Sequence, residues 1–138
     1  MSNEKLLKQA AVAREQAYCP YSGFAVGAAL LASSGHVYTG VNMENASFGG
    51  TICAERAALA GAVTAGERAF AVLAIVAGDR PTPPCGICRQ LLAEFGDMTV
   101  LYADAALSDV RETTLAALLP EAFSSSSWKG TPAYEFTD

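Results

Sequence analysis

Hydrophobic and polar positions along this chain follow two rhythms, one near 3.6 residues and one of short apolar runs, and the switches between them mark its elements. Leu6, Ala10, Ala13 and Ala17 recur at helical spacing while Lys5, Lys8, Arg14 and Glu15 fall on other faces. Asn3 to Tyr18 therefore reads as an amphipathic helix, ended by Pro20. Phe24 to Leu31 and Val37 to Val41 are apolar runs of strand length, and Ser33-Ser34-Gly35 between them predicts a hairpin with a three-residue loop containing glycine. Ile52 to Ala65 is Ala-rich and apolar nearly all round, which predicts a helix buried on most sides and running through the core, closed by Gly66. Ala69 to Ala77 reads as a buried strand, Gly78 to Pro84 as a loop, Gly86 to Phe95 as a helix and Thr99 to Tyr102 as another strand. From Val110 onward the pattern adds a short strand and a helix ending at Leu119-Pro120.

Strands alternating with helices in the later half imply a parallel pairing there. The predicted architecture is a three-layer α/β domain: a mixed sheet opened by a hairpin, with the two cysteine-bearing helices packed together on one face. A chain of 138 residues, 51% of them hydrophobic, suits one domain over residues 1–138 and leaves little room for a second. No fixed-period repeat is visible, and Ser124 to Ser127 is too short for an interdomain linker.

Charge narrows the partners. The formal net charge is -5 and the nine Lys and Arg residues are scattered, so a phosphate backbone is a poor partner and a small neutral substrate is favoured over nucleic acid. With no basic leader and no apolar span of membrane length near the N-terminus, the chain is expected to be soluble and cytoplasmic, with no membrane partner.

Cysteine spacing supplies the chemistry. Of the four cysteines, at 19, 53, 85 and 88, three fall in two short motifs, Thr51-Ile52-Cys53-Ala54-Glu55-Arg56 and Pro84-Cys85-Gly86-Ile87-Cys88-Arg89-Gln90. Each motif opens a predicted helix, where free N–H groups and a partial positive charge favour thiolate over thiol. Cys85 and Cys88 can close on one ion and Cys53 supplies a third sulfur, leaving a fourth tetrahedral position open for water, as in a catalytic zinc site. A lone C-x-x-C is often a redox pair or half of a structural zinc site. Here the combination of C-A-E with P-C-x-x-C on two helices, without a fourth cysteine or a suitably placed histidine, favours the catalytic metal. Cys19, isolated beside Pro20, reads as a packed side chain, and His36 as an exposed turn residue outside the site. Glu55 lies two residues beyond Cys53 and points elsewhere around the helix, so it is free to shuttle protons. A zinc with three thiolates carries excess negative charge, which a guanidinium would offset. Arg56 is the candidate, with Arg89 equally readable as a solvent-facing residue.

At these residues the chain resembles the cytidine deaminase family in its small three-cysteine form. The resemblance covers nearly the whole length: it includes Ala17-Tyr18-x-Pro20-Tyr21-Ser22-x-Phe24-x-Val26-Gly27-Ala28-Ala29-Leu30, Asn42-Met43-Glu44-Asn45-Ala46-Ser47 and Leu118-Leu119-Pro120-x-Ala122-Phe123. It implies a cytidine-deaminase-like α/β/α fold, a Zn2+ cofactor, and hydrolytic deamination of cytidine and deoxycytidine with release of ammonia, a reaction of pyrimidine salvage. It further implies that Phe24 packs near the nucleoside, that Asn42 and Glu44 bond the ribose hydroxyls, and that the Ala54 N–H meets the base carbonyl. A homotetramer in which Phe123 reaches a neighbour's active site also follows from it. The residues themselves agree for Asn42 and Glu44, since an amide and a carboxylate two apart at a strand end suit a polyhydroxyl ligand. Taken alone, they would be ordinary turn residues, and Phe24 and Phe123 ordinary core or interface aromatics. The chain departs from the family by carrying Phe48-Gly49-Gly50 where a Tyr is common, and its tail, with Trp128 and Tyr134, follows no pattern.

In the mechanism this implies, zinc makes a water acidic, Glu55 takes its proton, oxygen attacks C4 of cytosine, and Glu55 then serves N3 and the leaving amine. The alternatives are a blasticidin-S-type deaminase, against which Asn42 and Glu44 favour the simple nucleoside, and a non-catalytic zinc or thiol-redox module. A polynucleotide deaminase would be expected to carry a basic channel that this composition lacks.

Overall fold

The computed structural model describes residues 1–127, and Trp128 and Tyr134 lie outside them. Five strands form one mixed sheet: β1 (Val26–Ala32), β2 (Val37–Val41), β3 (Phe70–Ala77), β4 (Thr99–Ala103) and β5 (Val110–Thr114), in the order β2-β1-β3-β4-β5. β1 runs antiparallel to both β2 and β3, β3 and β4 are parallel, and β5 returns antiparallel to β4. The helices are α1 (Asn3–Arg14), α2 (Ala54–Thr64), α3 (Gly86–Ala93) and the single turn α4 (Leu115–Leu118). The expected three layers, mixed sheet, opening hairpin and parallel pairing are all present.

Strand periodicity divides the core in two. Ala28 and Leu30 of β1, Leu73 and Ile75 of β3 and Val100 of β4 face α2 and α3, with Ala54, Ala58, Leu59, Ala62 and Leu92 opposite them. The alternate residues Ala29, Ala74, Val76, Leu101 and Ala103 face Leu6, Leu7 and Ala10 of α1. Each fully buried Leu, Ile or Val contributes about 1.5–3 kcal/mol, so both faces of the sheet are strongly anchored. Two glycines bring the layers into close contact. A Cβ at Gly27 would overlap the backbone of Ala10 and Arg14 in α1, and one at Gly40 would overlap the Ala54 carbonyl and the Ala58 amide in α2.

The hairpin loop is the expected three residues: Gly35 N–H donates to the Ala32 carbonyl at 2.9 Å, Ala32 N–H to that of His36 at 2.9 Å, and Gly35 takes φ 96°. Other expectations need correction. α1 stops at Arg14 because Tyr18 turns away to pair with Met43, with Tyr18 N–H on the Asn42 carbonyl at 3.0 Å. β1 starts at Val26, not Phe24, because side chains occupy the preceding carbonyls: Asn42 Nδ2 donates to that of Phe24 at 2.7 Å and Arg14 Nε to that of Ala25 at 2.8 Å. α2 starts at Ala54, since Ile52 pairs with Met43, and it is buried along one side only. Ala60, Gly61 and Thr64 face outward. An alanine-rich surface reads as apolar all round even where only one stripe meets the sheet. α3 ends at Ala93, and the last helix is one turn.

Candidate metal centre and adjoining cleft

Topology brings the two cysteine motifs together. β2 and β3 are both antiparallel to β1, so they point the same way, and the helices that follow them both begin at the same edge of the sheet. Cys53 is the residue preceding α2 and Cys85 the residue preceding α3, neither capping its helix through the side chain, while Cys88 lies in the first turn of α3. Two helix N-termini thus direct unpaired N–H groups toward one place.

The three sulfurs lie within 4.8 Å of one another, with Cys53 Sγ 3.8 Å from Cys85 Sγ and Cys85 Sγ 3.6 Å from Cys88 Sγ. Tetrahedral zinc with bonds of about 2.3 Å holds its sulfurs about 3.8 Å apart. The residues therefore fit the ion. No other cluster of three potential ligands occurs among the described residues, and all four cysteines are free of disulfides. Electrostatics favour anionic sulfur: a hydrogen bond from Cys88, supported by Cys85 and the charge of Arg56, brings the Cys53 thiol from its usual 9.0 down to about 6 against the opposing effect of burial. Cys88 is pushed up because it donates to Cys53 and is itself buried. Cys53 is thereby favoured as thiolate with Cys88 as its hydrogen-bond donor, and a cation can replace the Cys88 proton.

Glu55, in the first turn of α2, is only 5% exposed. Burial raises its pKa, the Cys53 charge adds to the rise, and Cys88 and Arg56 oppose it. Arg56 is half-buried: its Nη2 donates to the Thr51 carbonyl at 2.6 Å, and its Nε is the one buried side-chain nitrogen or oxygen among the described residues without a partner. Arg89 is engaged elsewhere, with Nε on the Pro84 carbonyl at 2.7 Å and Nη1 on that of Leu118 at 2.9 Å, so it ties the start of α3 to the end of α4.

A cleft of about 280 Å³ opens beside the sulfurs. Cys53, Cys85, Ala54 and Glu55 line it together with Phe24, Asn42 and Glu44. Ala54 is the first residue of α2, so its N–H has no partner within the helix. Asn42 is 7% exposed, and its amide is half used by the fold: Oδ1 accepts from Val26 N–H at 2.9 Å and Nδ2 donates to the Phe24 carbonyl. Glu44 accepts from the N–H groups of Tyr21 and Ser22 at 3.0 and 3.1 Å and from Ser22 Oγ at 2.5 Å. These bonds, the Ser22 hydroxyl foremost, lower its pKa.

Phe123 does not line this cleft. It is exposed, and its carbonyl accepts from Gln90 Nε2 at 2.7 Å. His36 sits at the hairpin, 3.9 Å from Glu67 and far outside the cleft lining, as its turn position suggests. Sequence reasoning missed Ser22, Val26, Thr51, Ile75, Thr82 and Pro83, which also line the cleft. For Ser22 the signal was its place beside Phe24; Thr82 and Pro83 gave none beyond preceding Cys85.

Comparison with known proteins agrees with this geometry. The family model described as "Cytidine and deoxycytidylate deaminase zinc-binding region" matches residues 1–104. A cytidine deaminase of Sporosarcina psychrophila is 53% identical over 127 residues, covering 90% of this chain and 93% of the relative. One of Halalkalibacterium halodurans is 50% identical over 125 residues, covering 89% and 95%. The crystal structure of cytidine deaminase from Burkholderia pseudomallei superposes with a TM-score of 0.85 at 46% identity, covering 89% of this chain and all of that one (100%).

Proposed function

The chain belongs to the family of zinc-binding cytidine and deoxycytidylate deaminases, and on that premise we propose that its cleft hydrolyses cytidine and deoxycytidine to uridine and deoxyuridine, releasing ammonia, with Glu55 as the proton carrier. The observation that carries this reading is a carboxylate 5% exposed beside three converging sulfurs, in a cleft also lined by an amide and a second carboxylate. Cys53, Cys85 and Cys88 hold the metal. Bound there, zinc supplies a Lewis acid that lowers the pKa of water toward neutrality.

The rest is done by the chain's own groups. Glu55 accepts a proton from the attacking water and delivers it to N3 of the base as oxygen bonds to C4. It then takes the proton of the new C4 hydroxyl and passes it to the exocyclic amine, so that the C4–N bond breaks, the C4 carbonyl forms and ammonia leaves. A carboxylate raised toward the working pH exchanges protons in both directions more readily than one at its ordinary value. The free N–H of Ala54 meets the base carbonyl, Phe24 covers the ring, and Asn42 and Glu44 take the sugar hydroxyls with the bonding capacity the fold leaves them. Arg56, whose Nε has no partner and whose charge already favours the Cys53 thiolate, offsets the negative charge of the thiolates.

The shared edge lined by Asn42 and Glu44 favours a simple nucleoside over blasticidin S. The exposed aromatics Tyr18, Tyr21, Phe24, Phe48 and Phe123 support a homotetramer in which neighbouring copies cover them and Phe123 enters a second cleft. No described helix is long and apolar enough to cross a membrane, and the acidic balance of the chain, -5, suits a cytoplasmic salvage enzyme with no nucleic-acid partner. The test is the loss of cytidine absorbance on adding zinc-loaded protein, repeated with Glu55→Gln. The variant should keep its zinc and lose turnover by at least about a thousandfold; near-normal activity would refute the proton role.

A further inference from the structure

Between α1 and β1 the chain makes a tight loop that wraps around one carboxylate. Gly23 N–H donates to the Cys19 carbonyl at 2.9 Å, and the loop is pinned to the strand-like segment behind it by Glu44 N–H on the Tyr18 carbonyl at 2.9 Å. Inside the turn, both oxygens of Glu44 are engaged. Oε1 accepts two backbone N–H groups, from Tyr21 and Ser22, which fills its lone pairs. Oε2 accepts a single bond, from Ser22 Oγ at 2.5 Å, which leaves it one lone pair, and Glu44 lines the cleft. The same hydroxyl oxygen accepts Phe24 N–H at 3.0 Å. Ser22 therefore links the Glu44 carboxylate to the Phe24 backbone, and both of those residues line the cleft. It is the only side chain bonded to Glu44 among the described residues.

We propose that Ser22 is a positioning residue for sugar recognition: its hydroxyl fixes the rotation of the Glu44 carboxylate so that the open lone pair of Oε2 faces the substrate's sugar hydroxyl. The inference rests on the reading of Glu44 as a sugar ligand. A carboxylate held only at Oε1 would still lie in the loop, but its second oxygen would turn to water. The backbone bonds to Oε1 survive removal of the hydroxyl, so truncating Ser22 leaves Glu44 anchored in the loop; it also frees Phe24 N–H, and a substrate without sugar hydroxyls separates that effect from the orientation of Oε2. Short O–H···O⁻ bonds of this kind are among the stronger ones in proteins.

The experiment measures kcat and KM of zinc-loaded wild type, Ser22→Ala and Ser22→Thr on cytidine and on 2',3'-dideoxycytidine, which lacks both sugar hydroxyls of the ring. With Ser22→Ala, KM for cytidine should rise roughly tenfold, the size of one hydrogen bond to a charged group, while kcat stays within about twofold of wild type. KM for the dideoxynucleoside should be the same in both proteins, and Ser22→Thr, which keeps the hydroxyl, should restore the cytidine value. An equal rise in KM for both substrates would mean that the hydroxyl acts through Phe24 or the loop, and would overturn the proposal. So would an unchanged cytidine KM, or a loss confined to kcat. If wild type itself binds the two nucleosides equally well, the reading of Glu44 as a sugar ligand fails, and the inference falls with it by a distinguishable route. Should Ser22→Ala prove unfolded, Ser22→Thr decides alone: a cytidine KM near that of wild type supports the proposal, and a tenfold rise confined to cytidine overturns it, since the hydroxyl is still present.

Discussion

Replacing Gly40 with alanine should damage the metal centre from the opposite side of a helix. Gly40 lies in β2, and α2 rests directly on it: the added Cβ would overlap the Ala54 carbonyl oxygen and the Ala58 amide nitrogen and stand 3.0 Å from the Ala57 Cβ. The backbone contacts would stand at 2.3 and 2.4 Å, against the roughly 3.5 Å of ordinary van der Waals contact, so α2 must retreat by about 1 Å. The overlapped atoms belong to helix backbone and cannot rotate away, which places the cost at the upper end of the overpacking range, about 3 kcal/mol. For a chain of this size that lowers Tm by about 10 °C.

The same retreat moves Cys53, Ala54 and Glu55, which open α2, relative to Cys85 and Cys88, which belong to α3. Catalytic groups displaced by about 1 Å lose up to about a hundredfold in rate, so kcat should fall by roughly 10- to 100-fold and zinc should be lost more readily to a chelator. The assay pairs calorimetry with kcat and zinc content, and Thr39→Ala, at the neighbouring exposed position, serves as a control expected within about 0.5 kcal/mol. A Gly40→Ala protein with wild-type Tm would show that α2 is not seated on β2 through this contact. A lowered Tm with unchanged kcat and zinc retention would refute the link between that contact and the metal centre.

Two further outcomes follow from the site and its surroundings. Removing the metal with a chelator should abolish turnover and leave the far-ultraviolet circular dichroism largely intact, because both core clusters form without the sulfurs of Cys53 and Cys85; wholesale unfolding on chelation would contradict this, and added zinc should restore activity. Asp104, buried after β4, accepts from Asp109 N–H at 2.9 Å, Ser108 Oγ at 2.5 Å and Ser108 N–H at 2.8 Å, and these bonds hold its pKa below the usual 3.8. A lowered folded pKa contributes stability that is present above the unfolded value and lost as pH falls through the folded one. Asp104→Asn should therefore be less stable than wild type at pH 7 and should lose less stability than wild type on going to pH 3; parallel stability curves would refute the assignment.

How legible each part was depends on the range of the interaction that creates it. The cysteine motifs were readable because their chemistry is local: a thiol just before a helix and another in its first turn is a pattern a few residues long, and Glu55 belongs to the same turn. The meeting of Cys53 with Cys85 was readable one level up, from the order of elements, since a hairpin followed by a parallel pairing forces β2 and β3 to point the same way. The sequence ranked Arg56 above Arg89 without showing the contacts that decide between them. Each follows a metal-ligand motif, yet the carbonyls of Pro84 and Leu118 claim Arg89 while Arg56 keeps a free Nε, and the carbonyl that decides the matter comes from α4. Gly40 and Ser22 were unassigned for a similar reason. Nothing in their own neighbourhoods shows which backbone or carboxylate will approach them.

The metal centre and the proposed sugar contacts are consequently built on different principles. The metal centre rests on whole elements, with each sulfur held where a helix begins, so its geometry is as firm as the packing of α2 and α3 on the sheet. The proposed sugar contacts rest on side chains that also hold the fold. Asn42 joins Phe24 to Val26 through its amide, and Glu44 closes the turn at Tyr21 and Ser22. Only the capacity left over, one N–H and one lone pair on Asn42 and one lone pair on Glu44, is available to a ligand. That arithmetic explains why the two residues stand at a strand end, where the ladder stops and side chains can replace its bonds. It also explains why removing either one cannot be read as the loss of a ligand contact alone, because the loop carrying Phe24 is released in the same step. At Ser22 the two effects come apart only through the choice of substrate, since its hydroxyl bonds Glu44 Oε2 and also accepts Phe24 N–H, and a nucleoside without sugar hydroxyls senses the second bond alone.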